Sequence, residues 1–264
     1  DNTLEIARQL SKQDNRIRIY ENNFKLGIKK NFETALQYAN GQWIALSDQD
    51  DIWVADKLEK LLGCRTTTSL LIHSYNAEFS GTDSNRAVVN RKRKRFSGNN
   101  TRELFFYNTI YGHTVLLDKK LLQWALPFPP VVHYDWWLGI IASVHGTVEV
   151  NEDSLVYHRE HNSNYSRIIP GDEKAAKEIF FKELAATINE FLSIEGIKQE
   201  DKKILLEYRS LIGSESEENF SLPIFKFFLK HASSAFYFRK KNPAWFYYLK
   251  YSLYRATRQV KHWT

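Results

Sequence analysis

The sequence predicts an α/β fold, with a mostly parallel central sheet over residues 1–170 and an α-helical appendage over 171–264. Three observations carry this: helical and strand-like periods alternate through the first 46 residues, an acidic cluster falls where a short apolar strand ends, and helical periodicity dominates after Gly171. Such alternation places strands side by side with helices covering them, and ligands then sit at the carboxyl ends of the strands.

Asn2 or Thr3 can cap a first helix, whose Leu4, Ile6, Ala7 and Leu10 share a face. Arg16–Tyr20 alternates like a strand. A second helix follows from Ile28, Phe32, Ala35, Leu36 and Ala39, stopped by Asn40-Gly41. Trp43–Leu46 then reads as a buried strand. A third helix is expected to carry Trp53, Lys57, Leu58, Leu61 and Leu62, and Leu70–His73 a further strand. The cationic run Arg91–Arg95, followed by Ser97-Gly98-Asn99-Asn100, reads as a mobile, solvated loop. Amphipathic segments are expected near 173–192, 201–212, 222–238 and 243–260, with Pro223 and Pro243 at helix starts.

Composition narrows the class. With 264 residues and 43% hydrophobic content, the chain can bury a real core. Its single cysteine, Cys64, excludes a disulfide framework and multi-cysteine metal sites, which agrees with a reducing, cytoplasmic setting. The chain opens on Asp1 and has no methionine, so the native start is expected to be missing. No apolar run approaches the roughly 20 residues that a spanning helix needs. Nine lysines and arginines, and no acid, follow Glu218, so the net charge of +6 becomes −3 for residues 1–218. That distribution argues against nucleic acid as a partner and confines the basicity to the tail.

Asp48, Asp50 and Asp51 crowd three carboxylates into four positions, where they repel one another unless water or a cation neutralises them. Hard divalent cations take oxygen ligands and often bridge to substrate phosphates, so Mg²⁺ or Mn²⁺ with a diphosphate suits the cluster. A solvated turn capping the next helix explains the same residues.

Longer patterns decide between these. Asn31-Phe32-Glu33, Ala35-Leu36, Ala39-Asn40-Gly41, Ile44–Trp53 with Ser47-Asp48-Gln49-Asp50-Asp51, and Asp56-Lys57-Leu58 closely resemble the family 2 glycosyltransferases, especially bacterial rhamnosyltransferase-like members. The resemblance continues at Tyr111-Gly112-His113-Thr114, at His133–Leu138 and at Arg159-Glu160-His161 with Asn164, and so covers roughly residues 1–165. It implies a GT-A fold and an inverting, metal-dependent sugar transfer. The donor would be a nucleotide-diphosphate sugar, dTDP-rhamnose or a UDP-sugar, and the acceptor a lipid-linked or polysaccharide hydroxyl in cell-surface glycan synthesis.

Carried over residue by residue, Asp48, Asp50 and Asp51 resemble the family's DXD element, with Asp50 the direct metal ligand. His161 resembles the histidine of an Arg-x-His-x-x-Asn signature that completes the metal shell, although a surface histidine explains it equally well. Asp135 resembles the catalytic base, which takes the proton of the acceptor hydroxyl as the sugar leaves. Trp136 and Trp137 would desolvate it and offer a flat face to a sugar ring. The competing role for Asp135 is a helix cap. Arg159 would meet the diphosphate, while Asn31 and Gly112 would contact donor or acceptor.

The sequence also departs from the family pattern. The first strand and the Asp-Asp-Gly-Ser segment that contacts base and ribose do not appear before Asp1; Lys25 replaces a common Asn, and Ser74-Tyr75 a common Ser-Asp. A non-catalytic nucleotide-sugar or glycan-binding remnant is therefore the alternative expectation. In the tail, Phe225, Phe227, Phe228, Phe236, Tyr237, Phe238 and Trp245–Tyr248 among cations match either a helix lying peripherally on an anionic membrane or aromatic packing onto the catalytic domain.

Overall fold

The computed structural model describes residues 2–81, 84–89, 91, 93–160, 173–213, 220–239 and 243–257. They divide into a unit of Asp1–Asn40 and a unit of Gly41–Thr264. In the first, helix α1 (Thr3–Gln13) begins after Asn2, with no side-chain cap bond, and α2 (Ile28–Tyr38) ends with extended Ala39. Tyr20 and Tyr38 stack with centroids 3.9 Å apart. Arg16–Tyr20 is not a strand: alternation makes one only beside a ladder partner, and among the described residues none pairs with it.

The second unit holds the sheet. Its strands are β1 (Trp43–Ala45), β2 (Ile52–Trp53), β3 (Ser69–Ser80), β4 (Val88–Val89), β5 (Leu116–Asp118) and β6 (Thr147–Glu160). They lie in the order β1-β5-β3-β6-β2, with β4 pairing β3 off this path. The α/β class stands, and the sheet is mixed: the long central pair β3/β6 is parallel, while β1/β5, β5/β3, β2/β6 and β3/β4 are antiparallel. The crossover needed by the parallel pair includes α5 (Tyr134–His145), which turns into β6 at Gly146. A Cβ at Gly146 would stand 2.6 Å from the Thr68 carbonyl oxygen, so only glycine allows so close a turn.

Two expectations for this region are corrected. Trp53 belongs to β2, and the third helix, α3 (Lys57–Gly63), starts only after Asp56, because Ile52 and Trp53 are taken by pairing with Tyr157 and Val156 of β6. Nor is the 91–100 segment solvated throughout: Arg95 and Phe96 are buried, and Gly98 bridges Val148. Leu61, Ile72, Leu116 and Leu155 form a core cluster, with Trp43, Ala45 and Cys64 against it.

After β5, the short α4 (Leu122–Ala125) precedes α5, and α6 (Glu173–Ser193), α7 (Gln199–Gly213), α8 (Leu222–Lys230), α9 (Ala232–Ala235) and α10 (Ala244–Ala256) follow β6. Ser221 caps α8, with Pro223 in its first turn. These helices meet the sheet region through aromatic side chains. Phe106 packs against Tyr208, Phe227 and Phe228, and Phe191 against Phe105 and Trp136. Phe236 and Phe238 are buried as well, whereas Trp245, Phe246, Leu249 and Leu253 of α10 are exposed. Tyr237 packs on Phe96 too, so packing accounts for Phe227, Phe228, Phe236, Tyr237 and Phe238, and α10 keeps an apolar face toward solvent. Among the described residues, no helix is long and apolar enough to cross a membrane.

Candidate active site

Strand β1 is followed by buried Leu46, whose N–H donates to the Val115 carbonyl (3.1 Å), and the chain then leaves the sheet through Ser47–Asp51. It returns at β2, where Ile52 pairs with Tyr157. One step beyond that pair, His158 Nδ1 lies 2.8 Å from Asp51 Oδ1. The 3₁₀ turn Gly112–Thr114 before β5 brings in His113, whose ring stacks on His158 with centroids 4.6 Å apart and planes 1° from parallel. His113 Nδ1 is 3.8 Å from both Asp48 Oδ2 and Asp51 Oδ2.

Asp51, His113 and His158 thereby place three ligand atoms within 4.8 Å of one another. The Asp51 side chain is fully buried, yet its Oδ2 finds no hydrogen-bond partner among the described residues, and nor does His113 Nε2. An orphaned buried carboxylate oxygen costs about 1–3 kcal/mol, which a cation would offset. Mixed oxygen and imidazole donors fit Mn²⁺ more readily than Mg²⁺, which favours carboxylates and water.

Electrostatics follow from the crowding. Burial, reinforced by Asp51 and Asp50, pushes the Asp48 carboxyl up to about 6. Burial pushes His113 down to about 3, which keeps the imidazole neutral and able to ligate. The hydrogen bond to Asp51 raises His158 above its ordinary range. Lys57 is buried behind the cluster; its Nζ donates to the His113 carbonyl (2.9 Å) and lies 3.7 Å from the centre of the Trp53 ring. Burial lowers its pKa to about 8, against the pull of Asp51 and Asp48.

The same turn holds Asp135. Its Oδ2 accepts from the Gly112 N–H (3.2 Å), and its Oδ1 from Asn108 Nδ2 (3.2 Å) and the Trp136 N–H (2.7 Å). Asn108 is itself fixed by the Ile110 backbone, at 2.8 and 2.9 Å. Desolvation raises the Asp135 carboxyl above the ordinary range, opposed first by the charge of His133. The α5 cap position belongs to His133, so Asp135 sits inside the first turn with its carboxylate directed to the 108–112 segment. Gly112 is required here: an added Cβ would fall 2.1 Å from the Tyr134 hydroxyl oxygen.

The remaining expected residues scatter. Asp50 lies on the same loop but outside the group of three ligand atoms. Trp136 donates through Nε1 to the Leu104 carbonyl (2.6 Å). Trp137 is 7% exposed and donates to the Ala125 carbonyl, which leaves little of its ring for a sugar. Strand alternation sends Arg159 to the face opposite His158, with its guanidinium 5.4 Å from the Phe79 ring. Asn31 belongs to the first unit, where its Oδ1 accepts from Asn22 (2.8 Å). His161 and Asn164 lie outside the described residues. Sequence reasoning gave no role to His113, His158, Lys57 or Asn108; the register that sets His158 beside Asp51 is a tertiary fact, without a local signal.

The mixed sheet carries carboxylates and histidines at strand ends, beside a buried acid held partly by backbone, and comparison with known proteins identifies the fold as GT-A-type. Residues 1–122 match the model of "Glycosyl transferase family 2". Two Escherichia coli relatives, WfgD and WfaP, each a UDP-Glc:alpha-D-GlcNAc-diphosphoundecaprenol beta-1,3-glucosyltransferase, are 30% and 28% identical to this chain. The WfgD match spans 48% of this chain and about half (49%) of WfgD; the WfaP match spans 81% and 78%. Among solved structures, S. aureus TarS 1-349 in complex with UDP-GlcNAc superposes with a TM-score of 0.57 at 16% identity, covering 89% of this chain and 69% of that one. The mannosyltransferase PcManGT from Pyrobaculum calidifontis, in complex with GDP-Man and Mn²⁺, gives 0.50 at 14%, covering 99% and 74%. Over these stretches the chain is similar to family 2 glycosyltransferases.

Proposed function

We propose that this protein transfers a hexose, with inversion, from a nucleotide-diphosphate donor to a hydroxyl of a lipid-diphosphate-linked glycan. The observation that carries it is the Asp135 carboxylate, held by the Gly112 N–H and Asn108 and raised by burial, on the same turn that presents His113 to Asp48 and Asp51. In this role Asp135 accepts the proton of the acceptor hydroxyl as that oxygen attacks the anomeric carbon, and the bond to the diphosphate breaks. Gly112 and Asn108 hold the carboxylate in place. Asp51, His113 and His158, with Asp48 beside them, would hold the divalent cation, Mn²⁺ in preference to Mg²⁺. That cation supplies charge neutralisation for the departing diphosphate.

The printed activities of the two E. coli relatives favour a UDP-hexose donor and a diphosphate-linked acceptor, with dTDP-rhamnose as the competing donor. The exposed face of α10 (Trp245, Phe246, Leu249, Leu253) and the cations around it would meet the membrane surface that carries such an acceptor. Donor consumption, measured with Mn²⁺, UDP-glucose or dTDP-rhamnose, and a lipid-linked acceptor, tests the proposal. Asp135→Asn should lower turnover by about 10²–10⁴-fold, the usual contribution of a positioned general base. Undiminished turnover in that variant would remove Asp135 from the mechanism.

A further inference from the structure

Beside Tyr111 lies a polar cavity of about 140 Å³, lined by Glu78, Arg93, Arg95 and Tyr111. It is far larger than the roughly 10–15 Å³ that one water needs, and admits a phosphoryl group. Arg95 is 4% exposed; its Nη1 donates to the Thr109 carbonyl (3.2 Å) and its Nη2 to Asn76 Oδ1 (2.6 Å). Its Nε, also buried, has no hydrogen-bond partner among the described residues. The guanidinium carbon sits 4.0 Å from the centre of the Tyr111 ring. Arg93 stands 4.9 Å from the centre of Tyr107, which stacks on Phe238 at 4.1 Å, and the Lys94 N–H donates to the Phe238 carbonyl at 2.7 Å. The C-terminal region therefore braces the cavity wall.

Neither guanidinium forms an ion pair with a carboxylate among the described residues. Two guanidinium groups face the single carboxylate of Glu78, so the cavity carries a net positive charge. A buried cation with an unused donor calls for an anionic partner, and guanidinium forks match phosphate oxygens. We infer that this cavity binds the sugar-diphosphate head of the acceptor: Arg93 and Arg95 take the phosphate oxygens, and Glu78 accepts a hydroxyl hydrogen of the first sugar. Its position supports the assignment. Tyr111 precedes Gly112, the residue whose N–H holds Asp135, and Glu78 is paired across the ladder with His158. In this arrangement the sugar would turn its remaining hydroxyls toward the base, while the donor diphosphate would keep to the Asp48/Asp51 side.

The inference rests on the transferase reading, and binding separates the two. Calorimetry without donor or metal would compare undecyl-diphosphate-linked N-acetylglucosamine with the neutral undecyl glycoside of the same sugar. The wild-type protein should bind the diphosphate compound at least about tenfold more tightly (~1.4 kcal/mol). Arg93→Gln, at a half-buried side chain that folding tolerates better than a change at Arg95, should abolish that preference, and Arg93→Lys should restore part of it. The affinity for UDP-glucose with Mn²⁺ should stay within twofold in both variants. Equal binding of the two acceptor compounds by the wild type would overturn the inference, even if transfer to the neutral compound proceeds. Loss of UDP-glucose affinity in Arg93→Gln, with acceptor preference intact, would assign the cavity to the donor and also overturn it. Diphosphate preference that depends on Arg93, in a protein that turns over no donor, would sustain the binding site and defeat the transferase reading instead.

Discussion

The Tyr111–His113 turn divides two regions of opposite sign. Toward the end of β6 it presents His113 to Asp48, Asp51 and His158; toward β3 its Tyr111 lies under Arg95 beside Glu78 and Arg93. On the acidic side Asp51 Oδ2 is buried without a hydrogen-bond donor among the described residues, and on the basic side Arg95 Nε is buried without an acceptor among them. The proposed transfer, between a diphosphate donor and a diphosphate-linked acceptor, has a use for both arrangements. One held through a metal can leave with its charge neutralised, while one held directly by guanidinium groups stays put and fixes the acceptor.

Breaking the acidic side should have the larger effect. Asp51→Asn removes the buried carboxylate that His158 contacts at 2.8 Å, and Mn²⁺ affinity measured by titration should fall by at least about 100-fold, beyond the ~10–100-fold typical of outer-shell partners. Unchanged Mn²⁺ affinity would move the metal away from Asp51. Gly112→Ala strains the turn itself: the new methyl would meet the Tyr134 hydroxyl, at a cost of about 1–3 kcal/mol in thermal unfolding. Turnover should fall alongside, because the Asp135 carboxylate depends on the Gly112 N–H. Adding Tyr134→Phe should recover part of both losses, by removing the nearest clashing atom. The smallest effect belongs to the far surface. Trp245→Ser with Leu249→Ser, both exposed on α10, should change stability by less than about 0.5 kcal/mol per site and leave turnover of a soluble acceptor intact, while lowering cosedimentation with anionic vesicles.

The two regions were not equally visible in the chain. The acidic side announces itself because Asp48, Asp50 and Asp51 fall within four positions and follow an apolar strand, and Asp135 sits in a run with its own pattern. Its histidine partners arrive by tertiary pairing: His158 is one step along the ladder from Ile52↔Tyr157, and His113 comes from a turn preceding a different strand. The basic side was misleading. Arg91–Arg95 has the composition of a solvated loop, and only the packing of Phe238 and Tyr107 around it turns two of its arginines inward. Strand assignments failed where pairing decided them: Arg16–Tyr20 alternates without a ladder, and Trp53 was given to a helix although β6 claims it. Helices with their own amphipathic period, α2, α6 and α7, are legible almost to their ends, whereas the segment expected over 222–238 is broken after Lys230 into α8 and the short α9.

The pH dependence of kcat/KM addresses Asp135 most directly. A base works only when ionised, so activity falls as pH drops through its pKa. Burial holds that value above the ordinary carboxylate range of about 3.9. Asp48, raised to about 6, is the other group able to set this limb, so the profile is taken for wild type and for Asp48→Asn. An acidic limb displaced upward from the ordinary range, persisting in Asp48→Asn and accompanied by loss of turnover in Asp135→Asn, is the expected result. A limb at the ordinary carboxylate value, or one that disappears with Asp48 alone, would contradict a buried Asp135 as the base of the transfer.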